Sequence, residues 1–161
     1  MLSLLINGLW PAVHTVEPLD ASTVCTAGHN PFINRLNKLY EDGFFEENQI
    51  DYVFVLGGTN DNGGHVLGEE KYSDWTDDDL NQVLPAMCYF YCRVREILPD
   101  AEIYGIANLR MKQEIIDSIY NSCEYVGGHY VGIKVELESS HPTALGMQQI
   151  KDEILKVFDA E

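Results

Sequence analysis

Hydrophobic and polar positions along this chain alternate between two spacings. Short apolar runs typical of buried strands occur at residues 12–16, 52–56, 101–109 and 129–135. Between and after them, apolar residues recur every three or four positions, as on one face of a helix, over residues 31–43, 76–98, 112–126 and 143–159. Strands that alternate with helices of this length are typical of parallel βαβ units. The pattern predicts a single α/β domain over residues 1–161, a three-layer α/β/α sandwich with a parallel sheet.

Two of the predicted helices carry specific expectations. The helix over 76–98 should begin at Thr76, which is followed by three acidic residues, and should bend or restart at Pro85. The last helix should turn its apolar side chains toward the sheet; these are Leu145, Met147, Ile150, Ile154, Val157 and Phe158. Both expectations follow from helical spacing and capping alone.

The charge of the chain excludes several classes of partner. There are 10 basic and 26 acidic residues, which gives a formal net charge of −16. Such a surface repels phosphate backbones and anionic lipid, so we expect neither nucleic acid nor a membrane as a partner. No apolar run approaches the roughly 20 residues that a membrane-spanning helix needs.

Targeting and metal-site signals are also missing from the sequence. The first ten residues, "MLSLLINGLW", are apolar but lack the basic region and the cleavage site of a signal peptide. Two of the four cysteines lie one helical turn apart, which suits buried thiols better than a zinc site. His65, His129 and His141 show no ligand spacing with nearby acids. We therefore expect a cytoplasmic protein with no metal and no cofactor.

Polar clusters follow two of the predicted strands. The run "DYVFVL" ends in "GGTNDN", residues 57–62, and the strand 129–135 is followed by a loop that contains His141. In an open parallel sheet, ligands bind in the crevice beyond the carboxyl ends of the strands. Gly, Asn and Asp are also the usual turn residues, so an ordinary turn is the alternative interpretation.

Several segments resemble blocks of the SGNH (GDSL-type) hydrolases. "GGTND" is similar to the third block of that family, and "ESSHPTALGMQQI" is similar to the last block, with an acid three residues before a His-Pro. "ASTVCTAGHNPFINRL" resembles the second block of a bacterial subgroup that also carries a segment like "KYSDWT". The resemblance covers roughly residues 7 to 158 and implies a flavodoxin-like SGNH fold.

The resemblance implies a role for each of these residues in ester hydrolysis. Asn60 would donate to the oxyanion, as would the amide of Ala21, which stands where the family has glycine, and His141 would be the general base. Glu138 stands at the usual position of the acid, and Glu136 competes with it. The remaining residues expected in the substrate crevice are Ser22, Thr23, Gly58, Thr59 and Asp61. The substrate would be a small-molecule or carbohydrate ester.

The chain departs from the family in its first block, strand–Gly-Asp-Ser–helix, which carries the nucleophile. It contains no "GDS", and the only serine before the second block is Ser3. By resemblance, "LSLLI" fits the end of the helix that follows the nucleophile. It should not fill the missing strand position, because only about six residues separate it from 12–16, whereas a parallel crossover needs about a dozen. The sequence thus predicts an N-terminally truncated fold that lacks its first βα unit. Strands 12–16 and 52–56 would be left with open edges that favour a homo-oligomer.

Two functions remain open at this stage. The chain is either an SGNH-type esterase whose serine is supplied from outside these residues, or a non-catalytic binding or interaction domain that keeps the crevice without the reaction. Ser22 and Thr23 are poor substitutes for the nucleophile, because no neighbouring base or sharp strand-to-helix turn accompanies them.

Overall fold

The computed structural model describes residues 3–7, 31–138 and 141–158. Its main sheet has four strands in the order β1 (Ser3–Asn7), β2 (Tyr52–Leu56), β3 (Glu102–Asn108) and β4 (His129–Ile133). Every neighbouring pair in this sheet is parallel. A separate two-stranded antiparallel ribbon consists of β5 (Leu137–Glu138) and β6 (His141–Pro142). The helices are α1 (Pro31–Glu41), α2 (Phe44–Glu47), α3 (Asp77–Leu80), α4 (Val83–Ile97), α5 (Gln113–Tyr125) and α6 (Ala144–Phe158).

The predicted α/β class and parallel sheet are confirmed. The apolar runs at 52–56, 101–109 and 129–135 form β2, β3 and β4, whose side chains pack into hydrophobic clusters on both faces of the sheet. One core lies between the sheet and helices α1, α4 and α5. A second core on the other face joins Tyr104, Ile106 and Val131 to Ile150 of α6. The strand predicted at 12–16 lies outside the described residues.

Residues 3–7 form β1, which pairs in parallel with β2 and places Asn7 opposite Leu56. The expectation that "LSLLI" ends a helix and cannot fill the missing strand position was therefore wrong. A direct crossover from residues 3–7 to 12–16 would be too short. The connection from β1 to β2, however, is far longer than the dozen residues required. The edge of β2 that was expected to be open is paired within the chain. Self-association through that edge loses its structural premise.

The segment predicted as one helix over 76–98 forms two helices. Thr76 caps α3 as predicted, in a reciprocal pair with Asp79. The break falls before Val83, earlier than the predicted bend at Pro85, because Gln82 is extended. The N–H groups of Val83 and Leu84 donate to the carbonyls of residues 66 and 67 at 3.0 and 2.8 Å, so the long loop after β2 caps α4. Pro85 is tolerated because it lies in the first turn.

The inward face of α6 differs from the prediction in its first turn. Ile150 is buried, and Ile154 and Val157 pack against the same core, as expected. Leu145 and Met147, however, are about half exposed, at 56% and 47%. The position that packs inward in this turn is Gly146, which lies against Val135 and Glu136 after β4 and which a hydrophobic pattern cannot reveal. The side chain of Phe158 lies outside the described part of the structure.

Arg95 joins two helix ends at the amino edge of the sheet. Its Nε donates to the carbonyl of Val126, after α5, at 2.9 Å. Its Nη1 donates to the carbonyls of Pro99 and Ala101, both at 2.8 Å, in the connection from α4 to β3. Carbonyls at helix C-termini are otherwise left without partners. One guanidinium therefore ties the end of α4 to the end of α5.

Candidate functional site

The carboxyl end of β2 changes direction at two adjacent glycines. A side chain at Gly57 would place Cβ only 2.8 Å from the ring of Phe32. Gly58 has φ +88°, and a Cβ there would lie 3.0 Å from Ile115 and 3.3 Å from the sulfur of Met111. Only glycine combines left-handed backbone with so close an approach of neighbouring side chains. The glycines thus let β2 end sharply against the start of α5.

A short 3₁₀ turn at Asn60–Asn62 follows these glycines. The N–H of Asp61 donates to the carbonyl of Gly58 at 3.1 Å, which closes the turn on the end of the strand. The side-chain oxygen of Asn62 accepts the N–H of Lys112 at 2.7 Å, just before α5. Asn60 and Thr59 are half-buried. The turn that carries Asn60 is therefore fixed both to its own strand and to the next helix.

Asp61 is a buried carboxyl group in this turn, only 8% exposed. Burial raises the pKa of the Asp61 carboxyl above its usual range, while the nearby His65 and the Asp61 backbone N–H oppose the rise. A carboxyl whose pKa is higher in the folded state than in the unfolded state makes stability fall as pH rises through that interval. Ionisation of Asp61 therefore lowers the free energy of unfolding at neutral pH.

We expect Asp61→Asn to stabilise the domain relative to wild type at pH 7 and to leave it nearly unchanged at pH 3.5. The amide has a similar shape, can accept the same backbone N–H, and carries no charge to bury. Denaturant midpoints of both proteins at the two pH values measure the effect. Asp100→Asn, at an exposed position, is the control and should show a much smaller pH-dependent difference. If the substitution changes stability less favourably at pH 7 than at pH 3.5, this account is contradicted.

The His-Pro segment folds back on the start of α6. Glu138 and His141 are direct partners across the β5–β6 ribbon. The carbonyl of Glu136 accepts the N–H of Thr143 at 3.1 Å. The Thr143 hydroxyl oxygen accepts the N–H of Gly146 at 3.0 Å, and a Cβ at Gly146 would overlap the carbonyl oxygen of Glu136. The carboxylates of Glu136 and Glu138 are both exposed.

The predicted site residues fall into three groups. Gly58, Thr59, Asn60 and Asp61 lie at the carboxyl end of β2. Glu136, Glu138 and His141 lie together after β4. Ala21, Ser22 and Thr23 lie outside the described residues, so the substrate and oxyanion roles assigned to them stay predictions. That Asn60 and His141 share one crevice also stays a prediction.

One further residue lies at this carboxyl edge of the sheet. Asn108, at the carboxyl end of β3, is buried, and its side-chain oxygen accepts the N–H of Arg110 at 3.1 Å. A polar residue that ends an apolar run was the sequence signal for it. Ser3, by contrast, lies at the amino end of β1, at the opposite edge of the sheet.

Metal and membrane features can be judged for the described ranges. Among residues 3–7, 31–138 and 141–158, no group of three or more His, Cys, Asp or Glu side chains could hold a metal ion. Nor does this part of the chain contain a helix long and apolar enough to cross a bilayer.

Comparison with known proteins identifies what the chain is similar to. The sequence model for GDSL-like lipase/acylhydrolase matches residues 16–158. A crystal structure assigned as a GDSL-like lipase from Bacteroides uniformis superposes with a TM-score of 0.70 at 29% identity, over 80% of this chain and 58% of that chain. A second, from Bacteroides ovatus, gives 0.66 at 32% identity, over 70% of this chain and 55% of that chain. The chain thus spans less than two thirds of either structure. No curated protein matches it.

Proposed function

Because the chain belongs to the GDSL-like lipase/acylhydrolase family, we propose that it carries the oxyanion and acid–base part of an ester-hydrolase site. The observation that carries the proposal is the Gly-Gly-Thr-Asn-Asp turn at the carboxyl end of β2, held by hydrogen bonds to its strand and to α5. A rigid donor at a strand end is what stabilisation of a developing oxyanion requires.

Asn60 is the proposed side-chain donor. Its turn begins directly after Gly58, whose left-handed backbone packs closely against Ile115 and Met111 and restricts where the turn can lie. A preorganised amide needs no reorganisation when negative charge develops on the substrate oxygen. The second donor would be the amide of Ala21, by resemblance to the family.

His141 is the proposed general base, with a glutamate that holds its imidazole in the correct tautomer. Residues directly opposite each other in an antiparallel pair are the closest cross-strand neighbours. Glu138 is paired in this way with His141. The backbone of Glu136 is bonded elsewhere: its N–H donates to Gln149 of α6, and its carbonyl accepts the N–H of Thr143, just before α6. This arrangement favours Glu138 over Glu136 as the acid.

The nucleophile is the missing component of this site. The 161 residues contain no Gly-Asp-Ser block, and Ser3 lies at the wrong end of β1. Without an attacking serine, the remaining groups support only slow water activation. We therefore propose that these residues alone hydrolyse esters weakly or not at all. The substrate class would be uncharged acyl or acetylated-sugar esters, since a net charge of −16 repels anionic ones.

The test is hydrolysis of short p-nitrophenyl esters by the chain alone and by a chain in which a strand–Gly-Asp-Ser–helix segment replaces β1, the strand that pairs with β2. We expect little turnover alone and measurable turnover with the segment. His141→Ala should then abolish that turnover, and Asn60→Ala should lower it by about 10²–10³-fold, the usual effect of losing one oxyanion donor. Strong turnover by the chain alone that is lost on Ser22→Ala would overturn the claim of a missing nucleophile.

A non-catalytic binding or interaction domain is the second candidate. The absence of a Gly-Asp-Ser block favours it. Binding of an acetylated sugar without turnover, even when the serine segment is supplied, would select this function over the esterase.

A further inference from the structure

We propose that Gln149 is a positioning residue that sets the separation of Glu138 and His141. The inference rests on the proposed function, since it concerns the same acid–histidine pair. Gln149 lies on α6, and its side chain bonds to the backbone of the segment that leads to this pair. It acts through the backbone that carries them.

The contact that defines this role is a long-range hydrogen bond. The side-chain oxygen of Gln149 accepts the backbone N–H of Glu136 at 2.8 Å. The next peptide group is held as well, because the carbonyl of Glu136 accepts the N–H of Thr143. The segment that leads from β4 into the ribbon is thus held to α6 from two directions.

The ribbon needs this anchor because it is too short to hold its own geometry. β5 and β6 have two residues each, and even a longer isolated hairpin is only marginally stable in water. The segment before the ribbon is fixed by burial of Val135, which is 2% exposed. Between Val135 and Glu138, the bond from Gln149 and the backbone bond from Thr143 hold the path of the chain.

Gln149 is itself well placed to serve as a fixed point. It lies next to Ile150, which is buried in the core between α6 and the sheet. It is also one turn beyond Gly146, where α6 approaches the carbonyl of Glu136 most closely. A displacement of about 1 Å in a catalytic group can cost roughly 100-fold in rate. Loss of this one acceptor should therefore alter the acid–histidine pair without unfolding the domain.

The experiment follows the imidazole of His141 by NMR titration in the full 161-residue chain, which needs no catalytic activity. His141→Ala assigns its resonance among those of the five histidines. Glu138→Gln should lower the titration midpoint of His141 by about one pH unit, since a carboxylate within about 4–6 Å favours the protonated ring. Gln149→Met, which keeps the length but removes the acceptor, should lower it in the same direction by a smaller amount.

Two further variants separate positioning from general stability. Gln149→Glu keeps an acceptor oxygen and should return the midpoint to the wild-type value or above it. Gln148→Met, on the exposed side of the same helix, should leave it unchanged. An unchanged midpoint in Gln149→Met, with a shift in Glu138→Gln, overturns the role of Gln149 alone. No shift in Glu138→Gln overturns the acid–histidine pair of the proposed function, and the positioning role with it.

Discussion

Alanine at position 105 should lower the free energy of unfolding of this domain by about 3 kcal/mol, at the upper end of what overpacking a core usually costs. Gly105 lies in the middle of β3, between Val55 and Tyr130 of the neighbouring strands. A Cβ there would overlap the Cys123 sulfur and lie 2.6 Å from the Tyr91 hydroxyl oxygen. Neither group can retreat, because both residues are buried in the main core. Chemical denaturation, monitored by circular dichroism, gives the value.

The neighbouring strand offers a matched control for this substitution. A Cβ at Gly132, in β4, would meet the Tyr130 hydroxyl at 3.0 Å and Leu109 Cδ2 at 3.1 Å, which are the ends of side chains that are half-buried or exposed. Gly132→Ala should therefore cost less than about 1 kcal/mol. Cys123→Ala should recover part of the loss in Gly105→Ala, because it removes the overlapping sulfur. Equal losses at positions 105 and 132 would refute the packing argument.

Alanine at position 146 should destabilise the domain by about 2–3 kcal/mol, although alanine is favoured over glycine in a helix by about 1 kcal/mol. The added methyl group would overlap the backbone carbonyl oxygen of Glu136 and lie 2.9 Å from Val135 Cγ1. A carbonyl cannot change rotamer, so the first turn of α6 must move away from the segment after β4. The move would weaken the hydrogen bonds of Thr143 and Gln149 to Glu136. Thermal and denaturant unfolding both measure the loss.

The same substitution should also disturb the ribbon that carries His141. We expect the resonances of residues 136–143 to shift in the NMR spectrum of Gly146→Ala, while those of α4 stay in place. Gln148→Ala, two residues along the same helix and exposed, is the control and should be neutral. If Gly146→Ala proves more stable than wild type, helix propensity outweighs the contact and α6 does not require this close approach.

The sequence was most informative where apolar residues follow one another along buried or half-buried strands. The strands at 52–56, 101–109 and 129–135 and the cap at Thr76 depend on neighbouring residues, and local patterns predict such elements well. β1 was missed because its partner lies far away in the chain, at 52–56, and spacing rules judged only the nearest candidate. The exposure of Leu145 and Met147 was missed because a glycine, not an apolar residue, packs against the segment after β4.

The candidate site was predictable only in part, for the same physical reason. The turn that contains Asn60 is formed by adjacent residues, so the motif Gly-Gly-Thr-Asn-Asp was enough to recognise it. The burial of Asp61 and the bond from Gln149 to Glu136 depend on how distant segments pack, and no local pattern encodes them. The acid that would serve His141 stays a prediction. The sequence offered Glu138, with Glu136 as its competitor, and the pairing of Glu138 with His141 across the ribbon depends on folding that no local pattern encodes.

The position of Arg95 has a consequence for how the domain opens. Because one guanidinium holds carbonyls that follow α4 and others that follow α5, neither helix end can fray without breaking contacts of the other. Regions linked in this way exchange their amide protons as one cooperative unit. Amides around residues 98–101 and 126–128 should therefore share one opening free energy in hydrogen exchange. Replacing Arg95 with leucine should split them into two independently opening segments.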